Sequence, residues 1–430
     1  MNRKEAEDFV YKSYLKAVKY QNYNVKDSEK RRPDLTREII RAKSGTPCVV
    51  VTGSKGKGSV SNMISQILQT EYKVGLMTSP HLVDFCERFK INGKDVSDSE
   101  FSEYMSVIQQ EIDAIDAAVP ENLSVSPMGI QTDFALFYFN ANNTDFNVFE
   151  CGKGARYDDV NNVKHDYAVI NSIFLEHTRE LGNTARAIAS DKAHVITGEQ
   201  KCVFVAEQKA EVIDVIKKRA MEMNTPVKIY GKDFWAENIR YSNMGMIFDV
   251  IIGCERYEDI SVPLLGEHQA KNCALAMAFC TDVLENININ LIKQKLIELN
   301  WPGRMEVLSS DPFIMLDACI NSASCINVKA VMGHLKISKA TFIIGIPSDK
   351  DYAGVVREMN AMADIIILTK SQNPHYVFAK EQCETMAAEG IETLWADTVE
   401  EAIQMSKRFG KYIVILGTTS VVSEVKQLHI

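Results

Sequence analysis

The sequence lacks the features that define several common classes of protein. Its ten cysteines are scattered without a C-x-x-C pair, and a chain of 430 residues does not need disulfides to hold its core. No apolar run is long enough to span a bilayer, and the charged residues 1–8 do not resemble the apolar core of a signal peptide. We therefore expect a cytoplasmic protein with reduced thiols and no membrane partner.

The sequence also lacks an excess of positive charge. It carries 48 Lys and Arg residues against 57 Asp and Glu residues, which gives a net charge of −9. Because nucleic-acid-binding proteins usually present a basic surface to the phosphate backbone, this balance disfavours a nucleic-acid partner and a nucleic-acid remodelling ATPase. Apolar residues make up 46% of the chain, as in ordinary globular proteins, and the length allows two or three domains.

A glycine-rich stretch, T-G-S-K-G-K-G-S at residues 52–59, organises the first part of the chain. It follows the β-branched run 49–51, which predicts a buried strand, and it precedes residues 60–68, whose apolar spacing predicts a helix. Strand, glycine turn and helix are the context of a phosphate loop, although Gly58 is inserted before the serine of the usual pattern. A turn without ligand is the alternative. The predicted nucleotide-binding residues of this loop are Gly53, Gly56, Lys57, Gly58 and Ser59.

Polar residues follow several predicted strands. Ser79 comes after the strand 73–77, Glu150 ends the strand 145–150, and His177 follows the strand 167–173. The carboxyl ends of parallel strands meet at one edge of a sheet, where ligands bind, and Mg²⁺ prefers oxygen ligands. A single such Glu is usually solvated and a single His is usually structural, so only the combination favours a site. The predicted metal-binding residues are Ser59, Ser79, Glu150 and His177.

Strands and helices alternate along the chain, which predicts an α/β protein. We expect a P-loop ATPase domain with a parallel central sheet over residues 1–298, including a small antiparallel sheet near 245–253. A smaller Rossmann-like domain is expected over residues 299–430, after a linker within 288–311. Its predicted strands are 313–316, 341–346, 365–368 and 413–416.

Several motifs, in this order, resemble the folylpolyglutamate synthase and dihydrofolate synthase branch of the Mur ligases. They lie at residues 53–59, 78–82, 87–93, 150–158, 176–182, 191–193, 266–272, 302–306 and 349–351. The resemblance covers most of the chain and implies an ATP-dependent, ADP-forming ligase. In that reaction a substrate carboxylate attacks the γ-phosphate of ATP, and an amine then attacks the acyl phosphate to give an amide and phosphate.

The resemblance also implies roles for individual residues. One Mg²⁺ would be held by Ser59, Ser79 and Glu150, and a second ion by Glu150 with His177. The catalytic residues implied are Lys57, His177, Lys192 (carbamylated in many members of the family), Arg304 and Asp317. The further nucleotide-binding residues implied are His268, Gln269, Asn272, Arg304 and Asp317. The substrate-binding residues implied are His81, Arg88, Arg156, Asn321, His375 and Ser420.

The departures from the family pattern lie mainly in the smaller domain. The family's D-G-A-H-N is D-A-C-I-N at residues 317–321, so Ile320 replaces a histidine, and the family's N-P-R ends in His375. Arginine offers a bidentate fork for a carboxylate that histidine cannot reproduce. We therefore expect retained ATP chemistry on a small acid with a changed acceptor, an amino acid or amine. The alternatives are a folate-type ligase that adds L-glutamate and a catalytically inactive nucleotide-binding homologue. A monomer or a homodimer is expected.

Overall fold

The structure is a computed structural model that describes residues 1–20, 26–242, 245–374 and 376–428. The α-helices are α1 Arg3–Ala17, α2 Asp27–Lys30, α3 Arg37–Lys43, α4 Lys57–Leu68, α5 Asp98–Ala118, α6 Pro127–Ala141, α7 Thr178–Leu181, α8 Ala185–Lys192, α9 Ala210–Glu222, α10 Glu267–Val283, α11 Ile289–Ile297, α12 Cys325–His334, α13 Tyr352–Asn360, α14 Glu381–Ala388, α15 Val399–Ser406 and α16 Thr419–Gln427. The strands are β1 Cys48–Thr52, β2 Val74–Met77, β3 Phe89–Ile91, β4 Lys94–Asp95, β5 Phe146–Glu150, β6 Tyr167–Ile170, β7 Cys202–Val205, β8 Val227–Ile229, β9 Phe234–Tyr241, β10 Met246–Ile252, β11 Glu255–Val262, β12 Glu306–Ser310, β13 Phe313–Asp317, β14 Ala340–Gly345, β15 Ala363–Thr369, β16 Thr393–Ala396 and β17 Tyr412–Gly417.

The first sheet has eight strands in the order β4-β3-β2-β5-β1-β6-β7-β8. Six strands of this sheet run parallel to one another, from β2 through β5, β1, β6 and β7 to β8. At the other end of the sheet, β3 is antiparallel to β2, and the edge strand β4 is antiparallel to β3. All residues of β1 and β5 are buried, as expected where helices cover both faces of a parallel sheet. The neighbouring strands β2, β5, β1 and β6 therefore present their carboxyl ends side by side.

Two regions of the first domain illustrate how sequence pattern and tertiary structure agree. The glycine-rich loop follows β1 and leads into α4, whose apolar residues join one core cluster with those of α10. Gly56, which precedes α4, has φ of +76°, a left-handed conformation that glycine adopts without strain. The predicted stretch 245–253 contains β10, the central strand of the three-stranded antiparallel sheet β11-β10-β9, so the small antiparallel sheet is present as predicted.

The second sheet has six strands in the order β12-β13-β17-β14-β15-β16. Strand β12 is antiparallel to β13, and the remaining pairs are parallel. The four predicted strands of this region are present as β13, β14, β15 and β17, whereas β12 and β16 were not predicted. The two sheets confirm an α/β fold with an ATPase-type sheet followed by a smaller Rossmann-like sheet.

Some predicted bounds were wrong. The predicted linker 288–311 contains α11 and β12, so only residues 298–305 connect the two. The domain boundary at 298/299 stays a prediction. The strand predicted at 167–173 ends at Ile170, and a 3₁₀ turn over Phe85–Arg88 precedes β3. In the part of the chain that the structure describes, no helix combines the length and the apolar character needed to cross a bilayer. All ten cysteines are free thiols.

Candidate active site

The phosphate loop is shaped by close contacts that leave no room for side chains. A Cβ atom added at Gly53 would lie 2.8 Å from the Cβ of Asn171, and one at Gly58 would lie 2.6 Å from the ring of Trp301. Lys57, at the start of α4, donates from Nζ to the carbonyl of Gly53 over 3.2 Å. The loop therefore presents backbone N–H groups and a helix N-terminus to any ligand, the arrangement that binds phosphate.

Glu150 lies at the centre of the polar residues around this loop. It ends β5, is 4% exposed, and its Oε2 accepts a hydrogen bond of 3.0 Å from the backbone N–H of Ser79. Burial raises the pKa of its carboxyl group, and the positive charges of Lys57, Arg304 and Arg88 oppose that rise. The structure thus brings Glu150, Ser79 and Lys57 to the same edge of the first sheet. Ser59, on the first turn of α4, is buried.

A cavity of about 550 Å³ opens between the two sheets beside Glu150. Its walls include the 78–82 loop, Trp301 and Arg304 from the segment 298–305, and Thr419 from α16. This volume lies within the range of pockets that bind small organic ligands. The phosphate loop contributes Gly58 to the same wall, so the cavity lies directly beside the loop.

Arg88 is a buried cation surrounded by neutral partners. It is 8% exposed and donates from Nε to His81 Nδ1 over 2.8 Å and from Nη1 to Gln131 Oε1 over 2.6 Å. Burial and, to a smaller extent, the charge of Arg88 lower the pKa of His81 to about 4, so this imidazole is neutral near pH 7. His81 lines the cavity, and no carboxylate among the described residues lies within 4.0 Å of Arg88. A buried guanidinium of this kind suits an anionic ligand.

Lys192 is fully buried among hydrogen-bond acceptors. Its Nζ lies 2.8 Å from the carbonyl oxygen of Gly53, 2.5 Å from that of Lys153, and 3.0 Å from Oε1 of Glu176. Three acceptors around one nitrogen fit a donating ammonium group, whereas a carbamate would bring oxygen towards oxygen. The geometry therefore favours unmodified Lys192, which contacts the phosphate loop through its hydrogen bond to the carbonyl of Gly53.

Replacing Lys192 with Met is expected to destabilise the protein by about 3–5 kcal/mol, because two buried carbonyls would lose their donor and Glu176 would lose its ion-pair partner. Chemical denaturation of both proteins measures this difference. The replacement Lys201→Met removes a largely exposed lysine and serves as the control. An intact mass that rises by one CO₂ in bicarbonate, and that does so only when Lys192 is present, would contradict the unmodified state.

His177 does not directly follow a strand, contrary to the prediction from the sequence. Because β6 ends at Ile170, His177 precedes the short helix α7 in a left-handed conformation, with φ of 44°. Its side chain is 39% exposed, and its Nε2 lies 4.0 Å from Glu176 Oε2. The structure shows no contact between His177 and Glu150 among the described residues. In the described part of the chain, no three or more His, Cys, Asp or Glu side chains are grouped closely enough to hold a metal ion. The predicted metal ligands stay a prediction.

Residues at the start of α10 lie against the phosphate loop. Asn171 donates to Asn272 Oδ1 over 3.1 Å, and Asn272 donates to Gln269 Oε1 over 3.1 Å, which makes a buried chain of amides beside Gly56. Nδ1 of His268 has no hydrogen-bond partner. Burial, followed by the charges of Lys55 and Arg304, lowers the pKa of His268 to about 3. This imidazole is therefore neutral and can accept a hydrogen bond from a ligand.

The second domain contributes residues with local roles. Arg304 donates to the carbonyl of Gly303, and Asp317 accepts from the N–H of Met305 while its Oδ1 is buried without a partner. Two further predicted substrate residues, Asn321 and Ser420, hold loops of this domain through Ser324 and Asn373 respectively. Of the other predicted substrate residues, Arg156 is exposed and His375 lies outside the described residues.

Sequence reasoning missed several residues of this site. Trp301 lies over Gly58, Asn171 lies behind Gly53, and Glu176 pairs with Lys192. Lys55 donates from Nζ to Ser324 Oγ over 2.7 Å and so links the phosphate loop to the second domain. A second lysine in the loop was a visible signal, but its partner lies 269 positions further along the chain.

A family model agrees with this architecture. The model of the Mur ligase middle domain matches residues 51–280, which is more than half of the chain and contains the phosphate loop, Glu150 and the amide chain of α10. The chain therefore belongs to the Mur ligase family.

Individual relatives narrow the class. A dihydrofolate synthase/folylpolyglutamate synthase of Bacillus subtilis is 28% identical over 387 residues, which cover 88% of this chain and 89% of the relative. A folylpolyglutamate synthase of Lacticaseibacillus casei is 25% identical over 382 residues and 88% of each chain. The structure of a Mycobacterium tuberculosis folylpolyglutamate synthase complexed with ADP and AMPPCP superimposes with a TM-score of 0.86 at 21% identity, covering 97% of this chain and 99% of that one. Within the Mur ligases, this chain belongs to the branch of the folylpolyglutamate and dihydrofolate synthases. It is an ATP-dependent ligase that forms carbon–nitrogen bonds.

Proposed function

We propose that the enzyme joins a small carboxylic acid, bound in the cavity between the two sheets, to an amino acid or amine. The observation that carries this proposal is the buried guanidinium of Arg88, whose hydrogen-bond partners are neutral. It acts electrostatically on Glu150 and donates to His81, which lines the cavity. A carboxylic acid is the ligand that this charge and this volume of about 550 Å³ suit.

The residues around the phosphate loop suit the formation of an acyl phosphate. Lys57 and Arg304 would offset charge on the transferring phosphoryl group, and the carboxylate of the acid would attack from the cavity side, next to Gly58. Most of the rate enhancement would come from charge neutralisation and from positioning of the two reactants. Asp317, His177 and Lys192 complete the proposed catalytic set, Lys192 through its hold on the loop carbonyl of Gly53.

A magnesium ion fits the oxygen atoms at this edge of the sheet. Glu150 and Ser79 already share one hydrogen bond there, and Ser59 starts the adjacent helix, so Ser59, Ser79 and Glu150 would hold one ion. When bound, Mg²⁺ neutralises charge on the phosphate oxygens. A second ion would be held by Glu150 together with His177. A carbamate on Lys192 does not fit the three acceptors around its nitrogen.

A folate-type reaction that adds L-glutamate is the second candidate, and the curated relatives favour it. Two substitutions in the second domain, at positions implied to bind the amine substrate, favour a different acceptor. Ile320, in place of the family histidine, packs partly buried against the apolar core of the second domain, so no polar side chain occupies that position. Because His375 also lacks the bidentate fork of arginine, we expect glutamate to be a poor acceptor. A neighbouring basic residue such as Lys370 could supply the charge that His375 lacks, but Lys370 is already paired with Asp397 at 3.3 Å.

The test is a screen of acid and amine pairs for release of ADP and phosphate, with mass spectrometry of the product. ADP and an amide product from one pair would support the ligase, and competition between amines at fixed ATP and acid would rank the acceptors. If glutamate has the highest kcat/KM, the folate-type reaction replaces our proposal. If another acceptor wins, His375→Arg should shift preference towards glutamate, by about tenfold per 1.4 kcal/mol recovered. ATP binding without turnover for any pair would favour the inactive homologue.

The remaining expectations belong to the same proposal. The enzyme would work in the cytoplasm on small-molecule substrates, without a nucleic-acid or membrane partner, as a monomer or a homodimer. Size-exclusion chromatography with light scattering would decide between the two assembly states.

A further inference from the structure

Lys55 leaves the phosphate loop and reaches the second domain. Its Nζ donates to Ser324 Oγ over 2.7 Å, and Ser324 Oγ in turn donates to Asn321 Oδ1 over 3.0 Å. Ser324 is 5% exposed and lies in the turn that joins β13 to α12. Lys57, the other lysine of the loop, stays with the loop carbonyl of Gly53. The two lysines of one loop thus point to different partners.

The ammonium group of Lys55 has no anion beside it. Lys55 is half-buried, and within the described ranges no carboxylate oxygen lies within 4.0 Å of its Nζ. The groups it acts on electrostatically are the neutral imidazole of His268 and the thiols Cys319 and Cys325. A cation partly removed from water without a counter-charge is unfavourable, so this position suits an anion supplied by a ligand.

Three lysines of the second domain differ from Lys55 in having a carboxylate partner. Lys329, on α12 itself, pairs with Glu358, and Lys350 lies 3.4 Å from Asp349. Lys370 is 3.3 Å from Asp397. Among these lysines and Lys55, therefore, Lys55 alone keeps its charge uncompensated in the part of the chain that the structure describes.

We propose that Lys55 is a specificity-determining residue that binds the α-carboxylate of the acceptor. The inference rests on the proposed ligase function. In the proposed reaction the acid and the reacting phosphate would lie on the cavity side of the loop, beside Gly58 and Glu150, with Lys57 at the phosphates. An amine that attacks there from the second domain carries its substituents past the segment 321–324, where the ammonium of Lys55 lies. The acceptor is accordingly an α-amino acid with a free carboxylate, and simple amines are poor substrates.

The test compares each accepted amino acid with its α-amide, in which the carboxylate is replaced by a neutral group of the same size. Wild-type enzyme is expected to prefer the acid by about 10–100-fold in kcat/KM, the value of one charge-assisted hydrogen bond. Lys55→Met should lower kcat/KM for the acid by that factor, leave the amide unchanged and leave KM for ATP unchanged. Lys55→Arg keeps the charge and should restore most of the preference for the acid.

Lys370→Met is the matched control, because it removes a lysine of the second domain that already has a carboxylate partner, and it should leave the preference unchanged. An acid/amide ratio that survives in Lys55→Met overturns the inference, and a rise in KM for ATP in that variant would assign Lys55 to the nucleotide instead. Loss of the preference in Lys370→Met would also overturn it. Absence of ADP release by the wild-type enzyme with every pair is a different result, because it removes the ligase function on which the inference rests.

Discussion

Replacing Lys57 with Ala should lower the rate of ADP formation by at least about 10²–10³-fold while the protein remains folded. In the proposed mechanism the ammonium group of Lys57 offsets charge that develops on the transferring phosphoryl group, and losing one such donor typically costs this much in kcat. The side chain contributes little to packing, since it is half-buried and donates to the carbonyl of Gly53 over 3.2 Å. Its removal also raises the pKa of Glu150 further, because Lys57 is the strongest cationic influence on that carboxyl group.

The measurement is the single-turnover rate of ADP release at saturating ATP and acid, together with thermal denaturation of the variant. Lys94→Ala provides the matched control, because Lys94 is an exposed lysine on the edge strand β4. The control should have wild-type rates. If the Lys57→Ala protein turns over as fast as the control and melts at the same temperature, the phosphate-loop assignment is wrong.

Replacing Glu150 with Gln should raise the Mg²⁺ concentration needed for half-maximal rate by at least about tenfold and reduce the maximal rate. The variant loses the carboxylate charge that we propose holds the ion, and perturbation of metal ligation commonly costs 10–100-fold in affinity. The amide oxygen of Gln can still accept the hydrogen bond from Ser79, and a buried neutral group avoids the desolvation that raises the pKa of Glu150. We therefore expect unchanged or slightly higher thermal stability, which separates a metal effect from unfolding.

His177→Ala is the companion variant in the same Mg²⁺ titration. Because the His177 side chain is 39% exposed and makes no contact with Glu150 in the described structure, its effect should be smaller than that of Glu150→Gln. Initial rates at fixed ATP, measured over a range of Mg²⁺ concentrations, give both comparisons. Identical Mg²⁺ curves for wild-type enzyme and both variants would refute metal binding at the strand ends.

The local parts of the fold could be predicted because pattern and environment agree there. The run 49–51 is β-branched, fully buried and central in the first sheet, and the helix after the loop has its predicted apolar face. The strand at 167–173 was predicted three residues too long. The apolar Ile173 suggested continuation, but it is buried by packing outside the strand, and the side chain of Asn171 turns to Asn272.

The long-range parts of the site could not be predicted from one sequence. Two of these contacts join elements that are far apart in the sequence, namely Lys55–Ser324 and Trp301–Gly58. The pair Lys192–Glu176 is closer in the sequence, but no helical or strand spacing specifies it. The same holds for His177, whose position depends on where β6 ends. Position 320 illustrates a different reason. The sequence identifies the residue as Ile, but only the structure shows that this side chain joins the apolar core.

The position of Trp301 gives the enzyme an internal optical reporter. Its indole ring lies against Gly58 of the phosphate loop and forms part of the cavity wall. The other two tryptophans, Trp235 and Trp395, lie on β9 and β16 and donate to carboxylates of their own strand or the turn after it. In a protein with Trp235 and Trp395 replaced by Phe, tryptophan emission would come from Trp301 alone. Binding of nucleotide, binding of acid and departure of product could then be timed separately by stopped-flow fluorescence, without labelling either substrate.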